Sequence, residues 1–258
     1  MATKRYLDSL YQKYNKPHLI SPDPLQFVAL YKTDAEREVV ALIAASFAYG
    51  NVKQIIKTVD KILSAMGKNP RAFLIAADKA ALNKTYQGFK YRFTTQEELI
   101  NFLYALSQIL KEHGSLENMF LTFYKPGSDF VEAQRAFAAK LRSYGKIDTL
   151  IPNPAKGSAL KRLNLFLRWA ARKDEVDPGF WPRVPTHCLI VPLDVHMHRV
   201  GRMLGLTKRN QADMKTAIEI SAALAKFCPQ DPIKYDFCLT RFGIRDDMSE
   251  DDILERKI

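Results

Sequence analysis

A lysine and an aspartate in the C-terminal half of the chain have the types and settings for amine chemistry at an electrophilic carbon. Lys161 lies in Lys156-Gly157-Ser158-Ala159-Leu160-Lys161-Arg162. Gly157 lets the backbone approach a ligand closely, Ser158 is a good helix cap, and the amides of a helix start bind phosphate. With Ser158 as the cap, Lys161 falls in the first turn, where a positive charge opposes the helix dipole. A neutral amine is what a Schiff-base nucleophile needs. Asp194 closes Val191-Pro192-Leu193 and opens Val195-His196-Met197-His198-Arg199-Val200. As an N-cap it is fixed in place, which suits its carboxylate to stabilise a cationic transition state. Both residues also have plain structural readings. Gly-Ser is a common helix start, Asp is among the best caps, and Arg162 and Lys156 suit a phosphate patch without any chemistry.

The charge of the chain points to the kind of ligand. Its 258 residues carry a formal net charge of +11, which attracts polyanions. Nucleic acid is the first candidate and an anionic membrane surface the second. From 156 to 209, eleven Lys and Arg stand against four Asp and Glu. Arg199 and Arg202 belong to this stretch, and with Lys156, Gly157, Ser158 and Arg162 they are the candidate backbone contacts. Flipped bases stack on aromatic rings. Phe166 fits a core stripe, whereas Trp169 falls off it and Trp181 sits in an irregular stretch, so the two tryptophans are the candidate base pocket. Tyr49-Gly50-Asn51, a polar break between two apolar helices, has the form of a tight turn or of a wedge into a duplex.

Other chemistries fit less well. His196 and His198 are two apart and do not share a helical face with Asp194, so no metal is expected. Cys188, Cys228 and Cys238 are odd in number and widely spaced, without C-x-x-C, which predicts buried thiols rather than a disulfide framework or a zinc site. No apolar run reaches the ~20 residues of a membrane span, and the first residues lack a secretory pattern. A cytoplasmic protein is expected.

The elements that must position these residues read as helices. Thr33-Asp34-Ala35-Glu36 and Thr95-Gln96-Glu97-Glu98 are capping boxes that open helices near 34–48 and 96–113. Val52, Ile55, Ile56, Val59, Ile62, Leu63 and Met66 recur at helical spacing, and Gly67 stops them. Ser115 caps a short helix with Met119, Phe120 and Phe123; Phe130, Val131, Phe137 and Leu141 mark another. Further helices are predicted from near Ser158 to Ala170, from 194 to 204, from 211 to 227, and from Asp231-Pro232 to 242. Residues 174–192, with four prolines and Gly179, read as an irregular connection. Lys90-Tyr91-Arg92-Phe93-Thr94 reads as a short extended piece. The expectation is an all-α protein of two interleaved helical lobes forming a single unit over 1–258, with an acidic tail at 246–258.

Two segments carry a resemblance. Leu42-Ile43-Ala44-Ala45-Ser46-Phe47-Ala48-Tyr49-Gly50-Asn51 is similar to the helix and loop that probe the base gap in the helix-hairpin-helix (HhH-GPD, endonuclease-III-like) DNA glycosylases. Val191 to Val200, with Leu204-Gly205-Leu206, resembles the segment around their catalytic Asp. The whole chain, including 157–169 and Asp231-Pro232-Ile233-Lys234-Tyr235-Asp236-Phe237, looks like an uncharacterised bacterial family described only as a domain of unknown function. The resemblance implies an HhH-GPD-like fold, Asp194 as the catalytic Asp and Lys161 as the lysine of the bifunctional enzymes. The chain departs from the pattern in three ways, the first being the 33 residues from Lys161 to Asp194, a longer interval than in most members. Pro152-Asn153-Pro154-Ala155-Lys156-Gly157 replaces the Gly-x-Gly hairpin, and the four-cysteine iron–sulfur motif is missing. The function expected is a DNA repair glycosylase with AP-lyase activity that flips a damaged base out of duplex DNA. It would be monomeric, nucleoid-associated and without a cofactor. The alternatives are a non-catalytic nucleic-acid-binding protein on the same fold and a helical protein-interaction module.

Overall fold

The computed structural model describes residues 3–245 with 247, 248 and 253, and of Lys156 the backbone alone. In chain order the elements are α1 (Lys4–Tyr14), α2 (Asp34–Ser46), α3 (Val52–Met66), α4 (Pro70–Ala76), α5 (Lys79–Thr85), β1 (Lys90–Tyr91), β2 (Thr94–Thr95), α6 (Gln96–His113), α7 (Leu116–Phe123), α8 (Phe130–Arg142), α9 (Lys161–Ala171), α10 (Val195–Met203), α11 (Met214–Ala225) and α12 (Asp236–Ile244). The architecture is all-α, and the extended piece at 90–94 is part of a two-stranded antiparallel hairpin. The chain divides into a split unit, Met1–Pro22 with Gly157–Ile258, and an inserted unit, Asp23–Lys156.

In the inserted unit α2 is buried on every side from Glu38 to Ser46, as a helix apolar all round must be. The short 3-10 segment Pro24–Leu30, α3 and α4 pack on it, while α6 gathers α4, α5, α7 and α8. Thr33 Oγ1 accepts from the Glu36 amide at 3.3 Å, and Thr95 Oγ1 from the Glu98 amide at 3.2 Å. The second arm of each capping box is spent elsewhere. Glu36 Oε2 accepts from the Arg71 amide at 2.9 Å, at the start of α4. The Glu98 carboxylate accepts from the Thr149 amide at 3.2 Å and hydroxyl at 2.9 Å. Both glutamates thus tie a helix start to a distant segment. Buried Glu38 does the same for α7, accepting from the amides of Leu116 and Glu117 at its first turn.

In the split unit α12 is the platform. It packs against α1 and α10, and Arg168 of α9 pairs with Asp236 in its first turn. α12 begins at Asp236 rather than at Asp231-Pro232, because the Asp231 carboxylate receives the Arg172 guanidinium at 2.9 Å instead of capping a helix. Asp213, accepting from the Thr216 amide at 2.9 Å, caps α11 later than the pattern predicts. Cys238 is buried, but Cys188 and Cys228 are only half-buried; all three are free thiols. Most of the acidic tail lies outside the described residues. Of the rest, Arg245 pairs with Asp247, and buried Ile253 accepts from the Tyr6 hydroxyl at 2.5 Å.

Asp8 on α1 accepts from Lys4 at 2.7 Å and from Lys234 and Tyr235 at 2.9 Å, which hold its carboxyl well below the usual carboxylate range. A lowered folded-state value means stability present at neutral pH and lost as pH falls below the ordinary carboxylate value. Urea midpoints of wild type and Asp8→Asn are expected to differ at pH 7 and to converge in acid. A gap that stays constant with pH would refute this role.

Residues 172–192 run irregularly, as their prolines predict, with a 3-10 turn at Thr186–Cys188. Gly179, at φ 60, donates its amide to the Trp169 carbonyl at 3.1 Å, folding the chain back on α9. A Cβ there would lie 2.8 Å from the Arg172 carbonyl oxygen and 2.9 Å from the Lys173 Cα, backbone atoms with little room to yield. Gly179→Ala combines a left-handed penalty with overpacking and is expected to cost about 2–4 kcal/mol, read from urea midpoints.

Candidate functional site

The split unit brings Lys161 and Asp194 together from 33 residues apart in sequence. Lys161 Nζ lies 3.9 Å from Asp194 Oδ2. Their side chains are 29% and 23% exposed, so a ligand can reach both. Asp194 caps α10, with Oδ1 accepting from the Met197 amide at 2.9 Å, which orients Oδ2 toward the amine.

The start of α9 differs from expectation. Ser158 is not its cap; its Oγ accepts from the Leu160 amide at 3.2 Å. Leu160 takes the cap position in the left-handed region, φ 48, and gives no side-chain bond to the helix. Lys161 is therefore the first helical residue rather than the third, still within the first turn. Asn164, buried one turn on, donates from its side chain to the Ala159 carbonyl at 2.9 Å and braces this turn.

A buried ion network holds the two helices behind the pair. Arg168, seven residues beyond Lys161 on α9, donates to Asp177 at 2.9 Å and to Asp236 at 2.5 Å. Arg172 pairs with Asp177, with Asp174 at 2.9 Å and with Asp231 at 2.9 Å. Burial pushes the Asp236 carboxyl up against the pull of Arg168, and the charge of Asp194 pushes it the same way. Burial also raises Asp174, but Arg172 and the amides of Asp177 and Val176 outweigh it and leave that carboxyl low. α10 packs on α12 and the Arg168–Asp236 pair ties α9 to α12, so the helices that carry the amine and the carboxylate share one support.

A groove of about 670 Å³ runs along α10, the helix that Asp194 caps, and is lined by Val195, His198, Arg199, Arg202, Met203, Thr207 and Lys208. Its lining holds two arginines and a lysine and no acid, so it suits an anion. His198 Nε2 lies 2.9 Å from the Arg209 carbonyl oxygen and is fixed in place. Arg199 and Arg202 are one turn apart on the exposed face; Thr207 and Lys208 complete the groove and escaped the sequence reading as site residues. Only their position just past the Leu204-Gly205-Leu206 helix stop hinted at it.

The remaining candidates fall elsewhere. Trp169 and Trp181 are 0% and 1% exposed, inside the split unit, where Trp181 meets Phe166 edge-on at 4.9 Å. They are core residues here rather than an open stacking surface. Gly157, at φ 71, is exposed and Arg162 half-exposed, both at the approach to α9; the side chain of Lys156 lies outside the described residues. Tyr49 and Asn51 belong to the inserted unit. The Tyr49 hydroxyl is 2.6 Å from Thr94 Oγ1, and the Asn51 oxygen caps α3 through the Lys53 amide at 3.0 Å. Among the described residues no three His, Cys, Asp or Glu converge as a metal site, and no helix is long and apolar enough to cross a membrane.

One family model, described as a protein of unknown function, matches residues 23–245. No curated protein and no solved structure matches the chain.

Proposed function

The chain belongs to that family, DUF2400, and we propose, from the site and not from the family, that it is a DNA repair glycosylase with AP-lyase activity on an HhH-GPD-like fold. The observation that carries the reading is the partly exposed Lys161–Asp194 pair at 3.9 Å, with an acid-free basic groove along the helix that Asp194 caps. Lys161 Nζ bonds to C1′ of a flipped nucleotide as the glycosidic bond breaks; the base leaves with the electron pair and takes a proton from water. Asp194 stabilises the oxocarbenium-like charge and accepts the proton the amine loses. Opening of the C1′–O4′ bond gives an imine, and loss of a C2′ proton then expels the 3′ phosphate. Arg199, Arg202 and Lys208 hold backbone phosphates in the groove. Gly157, Ser158 and Arg162, with Lys156, contact the backbone at the approach to α9. The buried tryptophans have no part in this site.

The test is sodium borohydride trapping on duplexes carrying an abasic site or 8-oxoguanine. Borohydride reduces the imine to a stable amine, so a covalent adduct is expected. Base release without an adduct would replace the lysine mechanism by water activated at Asp194. Salt-sensitive binding with neither adduct nor release would leave a non-catalytic DNA-binding protein, a reading that the groove supports independently of the lysine.

A further inference from the structure

We propose that the β1–β2 hairpin of the inserted unit is a base-stacking wedge, with Phe93 as the ring that lies against an unstacked nucleobase and Arg92 as its phosphate partner. This deepens the proposed function and rests on its duplex DNA substrate. In the register Lys90↔Thr95 and Tyr91↔Thr94, Arg92 and Phe93 form the two-residue tip. Phe93 is 75% exposed. Arg92 sits at φ 50, a conformation that an arginine adopts only where its surroundings impose it.

Those surroundings are rigid. The Tyr91 hydroxyl donates to the Tyr49 carbonyl at 2.5 Å, and the Tyr49 hydroxyl meets Thr94 Oγ1 at 2.6 Å. Thr94 meets Thr149 at 2.6 Å, and Thr149 donates to Glu98 at 2.9 Å. Gly50 leaves room for the Arg92 stem, since a Cβ there would lie 2.9 Å from Arg92 Cδ. The Arg92 guanidinium lies 5.8 Å from the centre of the Phe93 ring. A network reaching from α2 to α6 thus holds one exposed ring and one cation in a strained turn. Tyr49 holds the base of this turn with its polar atoms, Asn51 is spent on capping α3, and the residue that projects is Phe93.

The surroundings also select the occupant. Lys90 and Arg92 are exposed, and so is Lys53, three residues beyond Gly50. A protein partner needs about 800 Å² from each side, whereas the tip offers one aromatic ring, on the order of 200 Å², between cations. A nucleobase is the size of that ring and brings phosphates for the cations. Stacking a base on such a ring is worth about tenfold or more in affinity.

The experiment uses the full-length chain with duplexes that are intact or carry an abasic site, 2-aminopurine being placed beside the gap. Affinity, 2-aminopurine fluorescence and borohydride trapping are measured for wild type, Phe93→Ala and Phe93→Trp, with circular dichroism checking that each variant is folded. Expected are a preference of wild type for the abasic duplex, an about tenfold loss of that preference in Phe93→Ala, and its retention in Phe93→Trp. Wild-type trapping with an unchanged preference in Phe93→Ala would overturn the wedge and leave the proposed function standing. Equal weakening on intact and abasic duplexes would also overturn it, since a stacking ring must discriminate. Absence of any DNA affinity in wild type would remove the proposed function and the wedge together.

Discussion

Lys161→Ala is expected to abolish the borohydride adduct while leaving the protein folded and able to bind DNA. Alanine is the better helix former, and a partly exposed pair at 3.9 Å contributes less than about 1 kcal/mol to stability. Loss of the adduct then reports chemistry. Lys161→Arg keeps the charge beside the groove but has no amine to form an imine, and should fail equally. Asp194→Asn separates capping from catalysis, because asparagine caps as well as aspartate and the bond from the Met197 amide survives. What it removes is the negative charge 3.9 Å from the amine, and under the proposed mechanism the trapping rate should fall by about a hundredfold or more. An Asp194→Asn variant with wild-type rate would reduce Asp194 to a cap. A Lys161→Ala variant that still traps would name another nucleophile.

What could be read from the sequence was local. Thr33, Thr95, Ser115 and Asp194 announce helices because a cap works within three residues, and each accepts the expected amide. The same locality explains the misplaced starts. Asp231-Pro232 looks like a cap, but its carboxylate answers an arginine 59 residues away. Ser158 looks like the cap of α9, but the left-handed turn at Leu160 intervenes and moves the helix start to Lys161. The second arms of the capping boxes went astray for the same reason: Arg71 and Thr149 offer bonds that no local pattern reveals. At the site, Lys161 and Asp194 stand out by residue type and by their places near helix starts, whereas their approach to 3.9 Å is a tertiary contact across 33 residues that no local pattern reveals. Trp169 misled because a residue off the apolar stripe is normally exposed. Here the chain between Arg172 and Trp181 folds back over that side of α9, and Gly179 bonds to Trp169 itself.

The largest stability effect is expected from Asp177→Ala. Asp177 is fully buried and accepts from both Arg168 and Arg172, themselves 3% and 2% exposed. Taking two guanidiniums out of water is costly, and the structure offsets that cost only while every carboxylate is present. Asp236 is a poor substitute, since it already receives Arg168 through Oδ2 and burial pushes its carboxyl up, against carrying the charge of two guanidiniums. Asp174 and Asp231 lie on the Arg172 side and leave Arg168 with Asp236 alone. Removing one partner of a buried pair costs about 3–5 kcal/mol, a large share of the 5–15 kcal/mol that holds a typical domain. Arg135→Ala is the control: its pair with Glu132 on α8 is exposed, and a change below about 1 kcal/mol is expected. Urea midpoints of the two variants separate the cases, and an Asp177→Ala shift no larger than the control would mean that the network contributes nothing net. The network also connects stability to chemistry. Arg168 ties α9 to α12, and α12 carries α10, so Asp177→Ala should slow trapping even at temperatures where the variant remains folded. A variant that is destabilised yet traps at the wild-type rate would show that Lys161 and Asp194 are positioned by their own helix starts and not by the charges buried behind them.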